Sequence, residues 1–491
     1  MTTPFAAEVG VARIAQEMWA RVPVRERLKH IRNLRALLVE RMDAIGGAIA
    51  ADINRPALEI AGSEVLPTTA ALKFLEKRAA RLLAPRKVPL WDRPIWLTGN
   101  RDVVHHRPWG VVGIIGTWNY PLFLNAGQIA SALVAGNAVL WKPSENTPRT
   151  AEVTTQLFRD AGFPAGLVQT LPATREAGPQ LAEAEVDHVV FTGSDVVGRK
   201  LAARLGERLV PSTLELSGCD AMFVFADADL EMAAKGAWFG LSINRGQTCI
   251  AVRRIFVQQT KCEAFVALLK PLIERAGPMG LVTPGQLAQA ERLIEDAAKR
   301  GATVLPVPPV GSAEGKGGAG TFLRPTLLVN TPADAAFCRE ACFAPVAAVI
   351  PFGTPDEALA LAKRSPFGLS ASIFSADIAA ATAFAARVPS GSVVVNDLLA
   401  PTAHPATPFG GRGASGWGET QGAEGLLAMT TPQVVTVHAG RTRPHLDDAA
   451  SPDPATGEIL HGLIRFSHGR GFGTRIGGLW QMVRGIRRRK K

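Results

Sequence analysis

Two separate segments of this chain contain the residues best suited to covalent chemistry. Cys249 ends the polar stretch Asn244–Cys249, and Glu215 lies in the apolar stretch Leu214–Gly218 about thirty residues earlier. A cysteine that follows a glycine and small or polar residues has an accessible backbone, which suits a reactive thiolate. A carboxylate can act as general base for such a nucleophile. The pair predicts nucleophilic catalysis, although a lone cysteine of this kind is more often a small buried hydrophobic residue.

Short apolar runs alternate with amphipathic stretches on both sides of these two segments. Helices are predicted over 8–50 and over 121–136, 148–162, 176–184 and 195–206. Strands that alternate with helices form parallel, doubly wound sheets, so the predicted fold class is α/β. The predicted strands are Val111–Ile115, Ala138–Trp141, Leu167–Thr170, His188–Phe191, Arg254–Val257, Thr303–Leu305 and Val346–Ile350. Residues 307–320, rich in Pro, Gly and Ser, are predicted to form a loop.

The bulk composition is that of a globular protein in a reducing compartment. At 491 residues, with 47% hydrophobic and 20% charged residues, two or three domains are expected. Five cysteines without a CxxC pair argue against disulfides, and Cys338 and Cys342 lack the neighbouring ligands of a metal site. No secretory signal and no apolar run of about 18 residues are recognisable, so a cytoplasmic location is expected.

Six short motifs, in a fixed order, resemble those of the aldehyde dehydrogenase superfamily. The resemblance covers about residues 10–437. A short N-terminus, the run Gly116–Pro121 and the pair Asn396-Asp397 resemble the class-3-like branch, which acts on fatty and aromatic aldehydes. The six motifs are Pro108–Val111 with Trp118–Pro121, Lys142–Glu145, Phe191–Ser194, the Glu215 segment, the Cys249 segment, and Pro408–Gly411 through Gly413–Gly416.

The resemblance implies three catalytic residues. Cys249 would attack an aldehyde carbon, and the Asn119 amide with the Cys249 backbone N–H would stabilise the resulting oxyanion. Hydride transfer to a nicotinamide would leave a thioester, which water activated by Glu215 would hydrolyse. Without the resemblance, Asn119 is better interpreted as a turn residue. Relatives that transfer the acyl group to coenzyme A generally lack this glutamate, so the free acid is the expected product.

The resemblance also implies a binding site for NAD or NADP, although the chain has no GxGxxG motif. Lys142 and Glu145 match residues that hydrogen-bond the adenosine ribose, and a carboxylate there repels a 2′-phosphate, which favours NAD. The class-3-like branch nevertheless tolerates NADP. Gly193 and Ser194 lie where a strand opens into a helix, whose free N–H groups can hold a pyrophosphate. The cofactor-binding candidates are Trp118, Lys142, Glu145, Gly193, Ser194 and Phe343.

One position departs from the family pattern. Where the family places the glutamate that holds the nicotinamide ribose, this chain has Ala341. Glu340 matches a preceding glutamate that is not the ribose ligand, and Phe343 remains available to pack beside the nicotinamide. The departure predicts a nicotinamide end that is held loosely or in an unusual pose.

The C-terminal tail differs in charge from the rest of the chain. Residues 459–491 carry nine Lys/Arg and no acid, and an apolar stripe with Trp480 recurs there at helical spacing. This pattern is typical of a basic amphipathic helix on an anionic membrane surface. The alternatives are packing on the protein itself or a partner, and nucleic-acid binding, which is not expected because no base-reading motif accompanies the charge. Class-3-like relatives often have C-terminal membrane anchors.

The resemblance and the tail together predict the domain organisation. A Rossmann-like dinucleotide-binding domain is expected over 1–214, interrupted near 98–110 by an oligomerisation hairpin, with an α/β catalytic domain over 215–395. The last three segments are a return segment with an oligomerisation strand over 396–437, a linker over 438–458 and the basic tail over 459–491.

The predicted function is oxidation of a medium- or long-chain or aromatic aldehyde to its acid. A homodimer, cytoplasmic or peripheral on the cytoplasmic face of a membrane, is expected. The alternative, motivated by Ala341, is a catalytically impaired relative that binds a membrane or a partner.

Overall fold

The computed structural model describes residues 3–306, 321–440, 443, 446, 449 and 453–489. The loop predicted over 307–320 lies outside this range. Fifteen α-helices lie in the described residues up to 440: α1 Ala6–Ala20, α2 Val24–Glu40, α3 Met42–Ile53, α4 Ala57–Ile60, α5 Leu66–Leu82, α6 Phe123–Ala135, α7 Pro148–Asp160, α8 Ala177–Glu183, α9 Asp195–Glu207, α10 Leu230–Ser242, α11 Cys262–Glu274, α12 Pro284–Lys299, α13 Pro355–Ala362, α14 Ile378–Ala385 and α15 Gly422–Ala428.

Two sheets organise the larger part of the chain, and both are mostly parallel, as predicted. The six-stranded sheet has the order β19-β7-β6-β3-β4-β5, and only β19 is antiparallel to its neighbour. Its strands are β3 Val111–Ile115, β4 Ala138–Lys142, β5 Val168–Thr170, β6 His188–Thr192, β7 Ser212–Glu215 and β19 Gly416–Trp417.

The seven-stranded sheet has the order β11-β13-β14-β9-β8-β16-β17, and only β11 is antiparallel. Its strands are β8 Asp220–Val224, β9 Val252–Gln258, β11 Thr303–Leu305, β13 Thr326–Val329, β14 Val346–Phe352, β16 Ser370–Phe374 and β17 Ser392–Val395. Two separate two-stranded sheets are formed by β10 Met279–Leu281 with β12 Thr321–Leu323 and by β15 Phe367–Gly368 with β18 Arg412–Gly413.

The strands are apolar on both faces because helices cover both sides of each sheet. In β8, Phe223 belongs to one buried cluster and its neighbour Met222 to another, since successive side chains point to opposite faces. Trp141 of β4 is 1% exposed inside the cluster that surrounds the six-stranded sheet. Apolar runs of this kind allowed β3, β4, β5, β6, β9, β11 and β14 to be predicted from the sequence, whereas β8 was not predicted.

The chain divides into two compact units. The larger comprises residues 1–84 and 106–432 and contains both large sheets. The smaller comprises 85–105 and 433–491. It contains most of a three-stranded sheet, ordered β1-β2-β20, with β1 Arg86–Lys87, β2 Asn100–Pro108 and β20 Thr430–His438.

Two tail helices, Pro454–His468 and Phe472–Arg489, also belong to the smaller unit. The second covers the predicted amphipathic stripe. The first begins inside the segment expected to be a linker, because the Asp453 side chain accepts a hydrogen bond from the Ala455 N–H at 2.8 Å and caps it. None of the helices in the described residues is long and apolar enough to cross a membrane.

Candidate active site

A cavity of about 1140 Å³ opens where the six-stranded sheet changes its direction of winding. The chain runs outward from β3 through β4 to β5, and then returns to the other side of β3 with β6. Ligands of doubly wound sheets bind at the carboxyl ends of the strands at such a point. Thr117 after β3 and Gly193 after β6 both line the cavity, and so do Glu215 and Cys249.

The turn before Cys249 has an uncommon backbone conformation. Asn244, Arg245 and Gly246 have φ values of 46°, 56° and 73°, all in the left-handed region. Asparagine and glycine adopt this region most readily, so Arg245 is the costly member. A Cβ at Gly246 would lie 2.4 Å from the Ala344 backbone, which requires glycine there. The turn delivers Cys249 to the cavity wall, where it is only partly exposed.

Glu215 ends β7 and is 2% exposed. Neither of its carboxylate oxygens has a hydrogen-bond partner of normal geometry among the described residues. Burial raises the pKa of Glu215 to about 7, and the nearby Cys249 thiol partly offsets this. Burial and the carboxylates of Glu215 and Asp220 in turn raise the pKa of Cys249 well above its usual value. The thiol and the carboxyl group therefore share one poorly solvated corner of the cavity, where both hold their protons more tightly than in water.

Hydrogen bonds fix the orientation of the Asn119 side-chain amide. Its Oδ1 accepts from the Thr117 hydroxyl at 2.7 Å, and its Nδ2 donates to the Gln247 carbonyl at 3.1 Å. A primary amide has two N–H donors, so one remains for a ligand. Asn119 is 2% exposed and lines the same cavity as Cys249. The amide nitrogen thus lies on the side of the cysteine loop.

Lys142 and Glu145, the residues predicted to bind the adenosine ribose, belong to a small ion-pair network at the end of β4. Lys142 Nζ donates to Glu145 Oε2 at 3.2 Å, and Arg175 Nε donates to Glu145 Oε1 at 3.0 Å. Burial raises the pKa of Glu145, but its own backbone N–H and the two cations outweigh this, and the net shift is downward. Arg175 was not predicted as a site residue, because thirty residues separate it from Glu145 and no motif marks it.

Gly193 and Ser194 lie at the N-terminus of α9, as the sequence indicated. The Ser194 side chain caps the helix by accepting from the Val197 N–H at 3.3 Å. A Cβ at Gly193 would lie 2.4 Å from the Phe191 ring, so a side chain there would force the ring to move. A helix N-terminus that opens onto a cavity is a favourable place for an anionic pyrophosphate.

The remaining candidates lie at the catalytic end of the cavity. The rings of Trp118 and Phe343 meet edge to face, with centroids 6.0 Å apart, and Ala341 lines the same wall. Glu340 is turned to α12, where Arg292 and Gln289 donate to its Oε2. The cavity therefore offers a dinucleotide a carboxylate, a helix N-terminus suited to phosphates and a pair of aromatic rings, and Cys249 lines the same cavity.

Comparison with known proteins identifies the class of protein. The sequence model of the aldehyde dehydrogenase family matches residues 4–435. The chain is 34% identical over 467 residues to a 4,4'-diapolycopene aldehyde oxidase of Methylomonas sp, covering 93% of this chain and 86% of the relative. It is 32% identical over 445 residues to a putative succinate-semialdehyde dehydrogenase [NADP(+)] of Mycolicibacterium smegmatis, covering 88% and 84%.

Solved structures give the same result. An aldehyde dehydrogenase of Mycobacterium tuberculosis complexed with NAD+ superposes with a TM-score of 0.82 at 28% identity, over 89% of this chain and 90% of that one. An NADP-dependent enzyme of E. coli superposes with a TM-score of 0.81 at 27% identity, over 88% and 89%. The chain belongs to the aldehyde dehydrogenase family. It is an NAD(P)-dependent oxidoreductase that oxidises aldehydes.

Proposed function

We propose that Cys249 is the nucleophile of this enzyme and Glu215 its general base, and that the product is the free carboxylic acid. The observation that carries the proposal is the buried Glu215 carboxylate, whose oxygens lack normal partners beside the Cys249 thiol. A buried carboxylate without partners is costly, and proton transfer at this position explains its presence.

Each side chain has a defined part in the sequence of steps. The Cys249 thiol loses its proton to solvent, and the thiolate attacks the aldehyde carbon to give a thiohemiacetal oxyanion. The second Asn119 N–H donates a hydrogen bond to this oxyanion. Because the donor is already oriented before the reaction, this bond lowers the activation free energy by about 2.7–4 kcal/mol. The chemistry that bound NAD(P)+ supplies is the two-electron oxidation of the former aldehyde carbon. Glu215 then takes a proton from water, which attacks the thioester and releases the acid from Cys249.

The cofactor proposed is NAD. Glu145 holds its charge between two cations at the ribose end, and a carboxylate there accepts from both ribose hydroxyls. Arg175 is 78% exposed and could turn to a 2′-phosphate, which explains how NADP would be tolerated. Comparing kcat/KM for the two cofactors in the native enzyme and in Arg175→Ala tests this. The variant is expected to lose activity with NADP selectively.

Replacement of the nucleophile is the direct test of the chemistry. Cys249→Ala is expected to abolish aldehyde oxidation and to leave NAD binding intact, measured by quenching of tryptophan fluorescence. Cys262→Ala is the matched control, because this cysteine of α11 does not line the cavity. Residual aldehyde oxidation by Cys249→Ala would refute the assignment of Cys249 as the nucleophile. An inactive native enzyme would instead support the alternative, an impaired relative that binds a membrane or a partner.

The substrate class proposed is a medium- or long-chain or aromatic aldehyde. The relative named 4,4'-diapolycopene aldehyde oxidase supports a large apolar substrate. Measuring kcat/KM against straight-chain aldehydes of increasing length tests the proposal. A value that rises with chain length supports it, whereas a preference for succinate semialdehyde would contradict it.

We also propose that the tail helices attach the enzyme to anionic membranes. Glycines let the two helices pack closely, since a Cβ at Gly462 would lie 2.4 Å from the Met482 nitrogen. The hairpin leaves Ile464, Phe472 and Trp480 exposed, at 57%, 80% and 68%. Seven arginines lie in these helices and the turn between them against one acid, Glu458, so the surface combines apolar and cationic groups. This combination fits an interface with anionic lipid.

Vesicle co-sedimentation tests the membrane proposal. The full chain is expected to bind vesicles containing phosphatidylglycerol, more weakly at high salt because the Debye length falls from about 10 Å at 0.1 M to about 3 Å at 1 M. Removing residues 453–491 or replacing Trp480 by Ala should weaken binding. Trp91→Ala is the matched control, because Trp91 is also exposed, at 85%, but lies outside the tail. Equal sedimentation of full-length and truncated protein would refute the proposal.

A homodimer is proposed through the three-stranded sheet. Its edge strand β20 exposes Val434, Val435 and Val437, and an apolar edge strand is a template for pairing with a second chain. Light scattering with Val435→Lys tests this, and a dimer unaffected by the substitution would contradict this interface.

A further inference from the structure

The most deeply buried charges near the active site belong to Arg55 and Glu64. Arg55 Nη1 donates to Glu64 Oε1 at 2.6 Å, and both side chains are 0% exposed. Among the ion pairs of the described residues, this is the only one with both partners fully buried. Neither residue lines the cavity that contains Cys249. The pair therefore lies behind the reacting groups rather than among them.

Arg55 connects the two loops that supply the proposed catalytic groups. Its Nη2 donates to the Asn119 carbonyl at 2.5 Å, and its Nε donates to Asn244 Oδ1 at 3.2 Å. The Asn244 amide in turn donates to the Asn119 carbonyl at 3.1 Å and to the Gln247 carbonyl at 3.0 Å. One guanidinium thus joins the segment of Asn119 to the left-handed turn before Cys249.

Glu64 fixes the other end of the Asn119 segment. Its Oε2 accepts from the backbone N–H groups of Leu122 and Phe123, at 3.1 and 2.8 Å, where α6 begins. Glu64 lies on a π-helical turn, Ala61–Val65, a distortion that is frequent at functional sites. Its carboxylate therefore neutralises Arg55 and holds the start of α6 at the same time.

A third connection passes through Tyr120. The Arg55 guanidinium lies 4.7 Å from the centre of the Tyr120 ring, and the Tyr120 hydroxyl is 2.7 Å from the Thr248 hydroxyl. Thr248 immediately precedes Cys249. The segments on both sides of the proposed oxyanion position are therefore attached to the same ion pair.

Stability alone does not explain such a pair. A buried ion pair is often no more stabilising than a well-packed apolar pair of similar volume, because both charges lose their hydration. Directional hydrogen bonds, by contrast, define where their acceptors lie. The turn at Asn244 and Arg245 has φ values of 46° and 56°, and such conformations persist only where the surroundings enforce them.

We propose that Arg55 and Glu64 are positioning residues that hold the Asn119 amide and the Cys249 turn in register for attack on the aldehyde. The inference rests on the proposed roles of Cys249 and Asn119. It predicts that replacing the whole pair by apolar side chains impairs turnover more than folding.

Three variants separate positioning from stability. Glu64→Gln keeps the shape and removes the charge, and Arg55→Lys keeps the charge and removes the guanidinium that reaches three acceptors. The double variant Arg55→Met/Glu64→Leu replaces the pair by apolar side chains, which is expected to preserve folding. The matched control is Glu76→Gln in α5, whose partner Arg35 Nε lies 2.6 Å away on α2.

Steady-state kinetics and NAD binding are measured for each purified variant. The double variant is expected to fold and bind NAD normally, with KM for the aldehyde nearly unchanged and kcat reduced about 100-fold, the typical cost of a 1 Å misplacement. Arg55→Lys should fall between it and the native enzyme. Glu76→Gln should retain native kcat.

The rate of the first turnover distinguishes misplacement from a misfolded fraction. In a Glu215→Gln background, which is expected to stop after one turnover, misplaced groups slow the burst at full amplitude, whereas unfolded enzyme reduces the amplitude at native rate. A folded double variant with native kcat, or a reduced burst amplitude at native rate, would overturn the inference. Activity in Cys249→Ala would instead overturn the proposed chemistry.

Discussion

Glu64 and Glu215 are both buried glutamates near Cys249, yet their surroundings differ. Burial raises the pKa of each to about 7. Around Glu64 this effect is opposed by Arg55 and by two backbone N–H groups, so the carboxylate is fully satisfied. Around Glu215 only the Cys249 thiol opposes it. Similar pKa values therefore arise from opposite arrangements, and the difference separates a group that holds structure from one that is free to exchange a proton.

Removing the free carboxylate should have the largest effect. Glu215→Gln is expected to give an initial burst of reduced cofactor and then to stall, because the thioester no longer has a base for its hydrolysis. Steady-state kcat should fall about 10²- to 10⁴-fold, the usual contribution of a general base. Stopped-flow absorbance of the reduced cofactor measures both phases. Steady turnover of Glu215→Gln at the native rate would mean that Glu215 is not the general base and does not differ from Glu64 in this respect.

The same two positions should change stability in opposite directions. Burial raises the pKa of Glu215 from 4.5 to about 7, so its ionisation opposes folding. The penalty is absent below pH 4.5, grows between the two values and is complete above about 7. Glu215→Gln should therefore stabilise the protein at pH 8 by about 3 kcal/mol, at about 1.4 kcal/mol per pH unit, and much less at pH 5.

Glu64→Gln should destabilise instead, by about 3–5 kcal/mol, because it leaves the buried Arg55 charge without its counter-charge. Urea unfolding of both variants at pH 5 and pH 8 measures these differences. Two shifts of the same sign at pH 8 would contradict the comparison.

Much of this arrangement follows from the sequence, but the ion pair does not. Local apolar patterns predicted several of the strand ends, and the family motifs indicated Cys249 and Glu215, which both line the cavity. Arg55 contacts Asn119 and Asn244, which are 64 and 189 residues away, and no local pattern encodes such partners. The first tail helix was missed because Gly457 and Gly462 lower its intrinsic propensity, and tertiary packing against the second helix compensates.

The pH dependence of turnover should identify which glutamate titrates during catalysis. Glu215 must be ionised to accept a proton, so kcat should fall about tenfold per pH unit below its pKa of about 7. Glu64→Gln is the informative comparison, because it removes the other group with a pKa of about 7. The acidic limb should persist in this variant at reduced kcat. Its disappearance would show that Glu64, and not Glu215, is the titrating group.

A new carboxylate placed in the cavity that Glu215 lines should have the smallest effect. Ala341 lines the wall beside Phe343, and the neighbouring Glu340 is already bound by Arg292 and Gln289. Ala341→Glu is expected to restore a ligand for the nicotinamide ribose and to speed the first turnover by up to about tenfold. The gain is limited because a charge-assisted hydrogen bond contributes about 1.5–3 kcal/mol, and burial of the new charge offsets part of it. Ala341→Gln controls for size without charge. An unchanged or slower single-turnover rate in Ala341→Glu would mean that the native cavity already holds the ribose by other groups, and that Glu215 is the one carboxylate that this end of the site requires.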